Sequence, residues 1–392
     1  MSRIPRLRPR PIRVIAALSV VGVALTTGAW SIAVTTAGIT APGTRRAILR
    51  FPYTSVADGG FAAFSAAGNA IVESRWMGPQ VVYLKAGAPL FPFPLAKPGL
   101  APQKYYVGAA ISPDRKYFST AVGAPRGRGW RVCIWNLSGG RIAPTVLVGR
   151  FRSGYPGGIA FSPDGRRLAS ILDTPRDWSV AIHGVRSGKA YRKLTFPRSV
   201  RVAGNPAFIA FSSSDALACL VSGRKVWLTC WNAISGSRLY SQPVKAFLAC
   251  TAIAGDVNRR ELLLGGVSAD RSRKLLVAIV SGASGAIVQL LAINGNRAGV
   301  PHNIRWQGIT HICVVGRGRF AVATEIGVHV DQQRDGRPAG RFLIIDMKRL
   351  HVRYRSPVLR EIPWYADVSA GGGRILIAGG TRVYLMPLPF KL

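Results

Sequence analysis

Short apolar runs broken by tight turns, returning at a near-constant interval, constrain this chain more than any other feature. The stretch GGIAFSPDGRRLASIL, residues 157–172, shows the unit. Pro163 presets φ at about −65° for the second position of a β-turn, Asp164 can bond nearby backbone, and Gly165 tolerates positive φ. On either side, Ile159 to Phe161 and Leu168 to Ile171 are short, apolar and partly β-branched, which predicts two antiparallel strands. The same frame recurs in GFAAFSAAGNAIVES from residue 60, VGAAISPDRKYFSTAV from 107 and AFIAFSSSDALACLV from 207. Its serines, Ser65, Ser112, Ser162 and Ser212, stand 47, 50 and 50 residues apart. Three weaker units follow: FLACTAIAGDVNRRELLLGGV, THICVVGRGRFAVATEI and YADVSAGGGRILIAGG.

The second half of each unit repeats as well. RVCIWNLSGGRIAPTVLV, SVAIHGVRSGKAYRKLTF, KVWLTCWNAISGSRLYSQPV and KLLVAIVSGASGAIVQLLAI each read as an apolar strand, a Ser/Gly turn and a more polar strand. Four strands per period of roughly 40–50 residues are the mark of a β-propeller. Blades converge at the axis, and the small residues Ala62, Ala63, Ala109, Ala110, Gly157 and Gly158 fall where room is least. Trp135, Trp231 and Tyr240 suit the wider gaps further out. The last unit supplies only three strands, so RRAILRF at 45–51 is expected to provide the fourth and close the ring. The expected fold class is all-β: a seven-bladed propeller over residues 45–392, with six or eight blades also compatible because the fifth and sixth units are irregular.

IAFSPDGRRLAS together with VCIWNLSGG and LTCWNAISGS resembles the WD40 and TolB-type (PD40-like) propeller repeats, the looser bacterial versions in particular. In that family an FSPDG turn joins the inner hairpin and a Trp-Asp pair ends the third strand. Here the pair is Trp135-Asn136 and again Trp231-Asn232. The resemblance implies a fold and a general role in binding, not a reaction.

The formal net charge is +37, from 53 Lys+Arg against 16 Asp+Glu. Such an excess attracts polyanions, or reflects only a GC-rich codon bias. Residues 1–13 carry Arg3, Arg6, Arg8, Arg10 and Arg13 and no acid, and no charge follows until Arg45. Val14 to Val34 matches the ~20 residues that span a bilayer as a helix. The reading is a basic cytoplasmic N-terminus (1–13), a transmembrane signal-anchor helix (14–34), a short linker (35–44) and a propeller outside the cytoplasm. A cleaved signal peptide and a secreted propeller is the alternative. The cysteines, Cys133, Cys219, Cys230, Cys250 and Cys313, show no CxxC pair and read as buried thiols, although Cys219 and Cys230 flank one hairpin turn.

Chemistry is sparse. No G-x-S-x-G elbow, HExxH or P-loop occurs. Glu325, His329 and Asp331 in TEIGVHVD would share one strand face, but a loop-edge histidine beside solvated carboxylates explains them as well. Two basic loops are the candidate polyanion or partner contacts: Arg126, Arg128, Trp130 and Arg131 in GAPRGRGWR, and Arg271, Arg273 and Lys274 in ADRSRK. Both fall between the second and third strands of a blade and so belong to one rim. No catalytic residue, metal or cofactor is assigned. The expected function is a non-enzymatic, membrane-anchored platform for an envelope protein, a peptide, or an anionic lipid or wall polymer. Nucleic acid is disfavoured by export, and a lyase or hydrolase with a central-channel site is the enzymatic alternative.

Overall fold

The computed structural model describes residues 47–50, 61–65, 70–75, 78–83, 92–94, 109–123, 130–137, 144–151, 158–173, 178–200, 207–270, 272–293, 304–329, 338–379, 382–390 and 392. Strand β1 (Ala47–Arg50) comes first. It is followed by β2 (Phe61–Phe64), β3 (Ala70–Arg75), β4 (Gly78–Tyr83) and β5 (Pro92–Pro94). Then come β6 (Ala109–Ile111), β7 (Tyr117–Gly123), β8 (Trp130–Asn136) and β9 (Pro144–Phe151). The next set is β10 (Ile159–Phe161), β11 (Arg167–Asp173), β12 (Trp178–Gly184) and β13 (Ala190–Thr195). After it run β14 (Ala207–Phe211), β15 (Ala216–Ser222), β16 (Val226–Asn232) and β17 (Arg238–Pro243). β18 (Phe247–Asp256), β19 (Glu261–Ser268), β20 (Leu275–Ser281) and β21 (Ile287–Ile293) precede β22 (Ile304–Val315), β23 (Phe320–His329), β24 (Pro338–Asp346) and β25 (His351–Arg355). The last three are β26 (Tyr365–Val368), β27 (Arg374–Ala378) and β28 (Arg382–Pro387).

Among the described residues these strands form seven four-stranded sheets, six of them consecutive meanders. The seventh has the order β1-β28-β27-β26, with Ala47 opposite Leu385 and Arg50 opposite Arg382, all antiparallel. First strands stand side by side from sheet to sheet: β6 by β10, β10 by β14, β14 by β18, β18 by β22, β22 by β26, and β26 by β2. The remaining seam is bridged by Phe61 of β2, whose ring lies 5.5 Å from that of Phe118 on β7. Approach is closest where side chains are absent: a Cβ on Gly255 would meet the Phe211 carbonyl oxygen at 1.7 Å.

The cores lie between sheets rather than within them. Along β15, Leu217, Cys219 and Val221 join a cluster shared with β11 and β12, while Ala218 and Leu220 face a cluster shared with β19 and β20. Period-two alternation thus buries both faces, which is why these strands read as unbroken apolar runs. The fourth strands face outward, as in β13, where five of six positions are exposed.

The turns explain the repeated serines. Ser162 Oγ accepts the Arg167 N–H at 2.9 Å, Asp164 accepts the Arg166 N–H at 3.0 Å, and Gly165 takes φ 67°. Ser112 and Asp114 repeat those bonds at 2.9 and 3.1 Å, but the glycine position is held by Arg115 at φ 57°. Its guanidinium forks onto Asp367 of β26 at 2.6 and 2.9 Å and also donates to the Phe64 and Val368 carbonyls at 2.7 and 3.0 Å. One side chain therefore ties three sheets together at the seam where the ring closes.

The expected N-terminal transmembrane helix is corrected. Among the described residues every regular element is a strand, and no helix is long and apolar enough to cross a membrane. Residues 1–46, with Arg3, Arg6, Arg8, Arg10, Arg13 and the 14–34 segment, lie outside the described residues. An apolar run licenses a span only where a helix satisfies its backbone. The membrane-anchored, single-pass reading, its membrane partner and its cell-membrane location are accordingly withdrawn.

Two outcomes follow. Arg115→Ala removes the charge partner of Asp367, which keeps the Phe64 N–H at 2.8 Å, and is expected to lower stability by about 2 kcal/mol in urea titrations, with Arg115→Lys only partly restoring it. His183 on β12 is buried, and burial outweighs the Gly188 backbone to push its imidazole down to about 4 from the usual 6.5. Between those values the unfolded chain binds a proton that the folded chain refuses, so stability falls as pH is lowered through the window. His183→Leu is expected to flatten the change in urea midpoint between pH 7 and pH 4.

Candidate functional site

Three turns on one rim build a basic cleft. Within an antiparallel sheet, the turns joining first to second and third to fourth strands emerge at one end, and those joining second to third at the other. In the β18–β19 turn, Asp256 accepts the N–H groups of Asn258 and Arg259 at 3.1 and 3.3 Å. In the β24–β25 turn of the next sheet, Asp346 accepts those of Lys348 and Arg349 at 2.9 and 3.0 Å. Each aspartate rigidifies its own turn and aims the following arginine outward. Between them the β22–β23 turn, Gly316 to Arg319, closes with an Arg319 N–H to Gly316 carbonyl bond of 3.1 Å. Met347 donates its N–H to the Arg319 carbonyl at 3.0 Å, which docks the last two turns on each other.

The cleft so formed has a volume of about 720 Å³ and is lined by Arg259, Arg317, Arg319, Lys348, Arg349 and Arg353, with Gly318, Asp346 and His351. Several cations are held in place. Arg259 lies 3.8 Å from Asp256 Oδ2. Arg353 stands over the Phe390 ring at 4.3 Å and the Phe320 ring at 5.5 Å, and Arg319 over Phe320 at 5.1 Å. Aromatic faces attract guanidinium groups and limit their wandering. Asp346 is the one lining carboxylate. Its partial burial opposes ionisation, but the N–H groups of Arg349 and Lys348 and the nearby His351 and Arg349 hold it below the usual carboxylate range. The negative charge is spent on the turn, so the cleft presents positive charge to a ligand.

Arg317 and Gly318 take φ 55° and φ 85°. A Cβ on Gly318 would come 2.9 Å from Asp256 Oδ2, so only glycine fits there. At Arg317 a left-handed backbone costs an L-residue about 1–2 kcal/mol, yet a long cation is kept.

The residues singled out from sequence lie on the opposite rim or beyond description. Arg126, Arg128 and Arg271 lie outside the described residues. Trp130 and Arg131 begin β8, opposite Gly123 and Val122. Arg273 and Lys274 are exposed in the β19–β20 turn, where Asp270 accepts the Ser268 and Ser272 hydroxyls at 2.6 and 2.5 Å. Glu325 is buried and takes a hydrogen bond from Arg341 Nε, whose guanidinium sits 4.0 Å over Trp306. Asp331 and the His329 side chain lie outside the described set. Among the described residues no group of three His, Cys, Asp or Glu could hold a metal. The cleft residues escaped the sequence reading, although two turns share the signal Asp-x-x-Arg, in DVNRR and DMKRL.

The architecture is similar to a chain in the crystal structure of the mitotic checkpoint complex, with a TM-score of 0.60 and 14% identity over 96% of this chain and 99% of that one. At that identity the likeness carries the fold alone. No protein-family model matches the chain, and comparison with curated proteins gave no match. The resemblance to WD40 and TolB-type repeats therefore reduces to a shared all-β propeller. Neither a bacterial origin nor a membrane segment is supported.

Arg317→Gly removes the strained side chain from its turn. It is expected to leave the fold intact and to raise stability by up to about 1 kcal/mol in thermal or urea unfolding. A loss of stability would show that the fold itself needs this side chain.

Proposed function

We propose that this protein is a non-catalytic binding platform whose working surface is the basic cleft on the rim of the β18–β19, β22–β23 and β24–β25 turns. Its partner carries negative charge. The observation behind this reading is the convergence of six Lys and Arg side chains on one cleft whose single carboxylate is engaged by its own turn. Asp256 beside Arg259 and the aromatic faces beneath Arg319 and Arg353 limit the freedom of three of these cations, which reduces the entropy lost on binding. Long-range attraction from the net charge would bring anions towards every surface, and the cleft is where they would be held.

Retention on immobilised heparin separates the two effects. Arg259→Ala/Arg349→Ala in the cleft and Arg273→Ala/Lys274→Ala on the opposite rim each remove two charges. The cleft variant is expected to elute at clearly lower salt than the rim variant. Equal shifts would show that charge acts diffusely and that the cleft is not the site.

A further inference from the structure

Among the described residues each of the seven sheets ends in an outer strand with one unpaired edge, and six of these strands carry a charged residue or a proline. β5 and β9 begin with proline, and β13 holds exposed Arg192 and Lys193. β17 starts at Arg238 and ends at Pro243, β25 carries Arg353, and β1 ends at Arg50. Charges and prolines on an edge hinder another chain from pairing with it. β21 has neither: its seven residues are Ile-Val-Gln-Leu-Leu-Ala-Ile. It pairs with β20, and a register shift between Ile279 and Val280, near the turn, leaves Gln289 to Ile293 in step with Ile279 to Leu275. Its apolar side chains largely face outward. Val288 is 54% exposed, Leu290 49% and Ile287 37%, and only Ile293 is buried.

We propose that β21 is a docking edge for an extended segment of another protein, apolar along its middle and acidic at its ends, which adds a fifth strand to the sheet. This surface is separate from the cleft. Main-chain hydrogen bonds along the free edge supply the attachment, and Val288 and Leu290 meet apolar side chains of the incoming strand. Charge decides between occupants. A second copy of this chain brings another +37, and like charges of that size oppose close approach. Exposed cations also stand at both ends of the edge. Lys274 immediately precedes Leu275, the partner of Ile293, and Arg273 lies beside it. At the other end the Gly282 N–H bonds the Arg260 carbonyl at 3.0 Å, which brings exposed Arg260 to the β20–β21 turn. The acids nearby are engaged or withdrawn: Asp270 accepts the Ser268 and Ser272 hydroxyls, and Glu261 is half-buried.

The probe is a labelled synthetic peptide, Glu-Glu-Val-Thr-Val-Thr-Val-Thr-Glu-Glu, titrated with the full chain and followed by fluorescence anisotropy. One control keeps its charge but has proline at the two central positions, so it cannot add a strand. A second control has lysine in place of every glutamate. The strand peptide is expected to bind, and each control to bind about tenfold more weakly or less. Val288→Lys/Leu290→Lys adds two cations, so attraction by charge alone would tighten the acidic peptide, whereas docking on the edge weakens it by about tenfold. Val288→Thr/Leu290→Thr keeps β-forming side chains without added charge and is expected to act in the same direction, which covers a lysine pair that disturbs the fold. Equal binding of the proline peptide, tighter or unchanged binding by the lysine variant, or no binding of the strand peptide would each overturn the proposal. Concentration-dependent dimers of the unaltered chain in sedimentation, lost in the lysine variant, would assign the edge to a second copy and overturn the acidic partner.

Discussion

Apolar packing between neighbouring sheets is the interaction on which the rest of the structure depends. No sheet owns its core. Alternate residues of β15 enter two different clusters, and the cluster containing Leu263, Leu343 and Ile345 is likewise built from two sheets. A sheet removed from this arrangement would lose both of its partners, and each neighbour would lose a face. Fully burying one leucine is worth about 2 kcal/mol, and such contacts are repeated at every interface. The Arg115 fork adds a directional bond at one seam, which fixes how the sheets meet but cannot replace the packing.

The hairpins were legible because their chemistry is local. Ser-Pro-Asp-Gly sets the turn, and the apolar runs on either side pair as Phe161 with Leu168 and Ile159 with Ser170. Side-chain pairing across the β15–β16 hairpin was harder to read. Cys219 and Cys230 flank its turn, but the register sets Cys230 opposite Ala218, one residue away, and the two thiols enter different cores. A shift of one residue reverses the face of a strand side chain. The cleft was harder still to read, its one sequence signal being the Asp-x-x-Arg shared by two turns. Its cations come from three turns and strand β25 on two sheets, between Arg259 and Arg353, and become neighbours only through packing. Sequence inspection favoured loops dense in arginine, of which the described Arg273 and Lys274 emerge on the other rim.

Four of the five non-glycine residues with positive φ among those described are arginines: Arg115, Arg260, Arg273 and Arg317. Gly165 and Gly372 show what these turns prefer when no side chain is required. At Arg115 the use of the side chain is plain, because it joins three sheets. Backbone strain there is balanced by an ion pair that no smaller residue could make. The same exchange of local comfort for a placed charge describes Arg317 at the cleft.

The pairing of β1 with β28 also shapes how the fold is reached. It joins the two extremities of the described chain, so its loop-closure entropy is paid only after the intervening sheets have formed. Until that late step, the first and last sheets each show an apolar face, and β28 shows an unpaired edge, to any other chain nearby. Yield on refolding is then a race between closure within one molecule, which ignores concentration, and association between molecules, which does not.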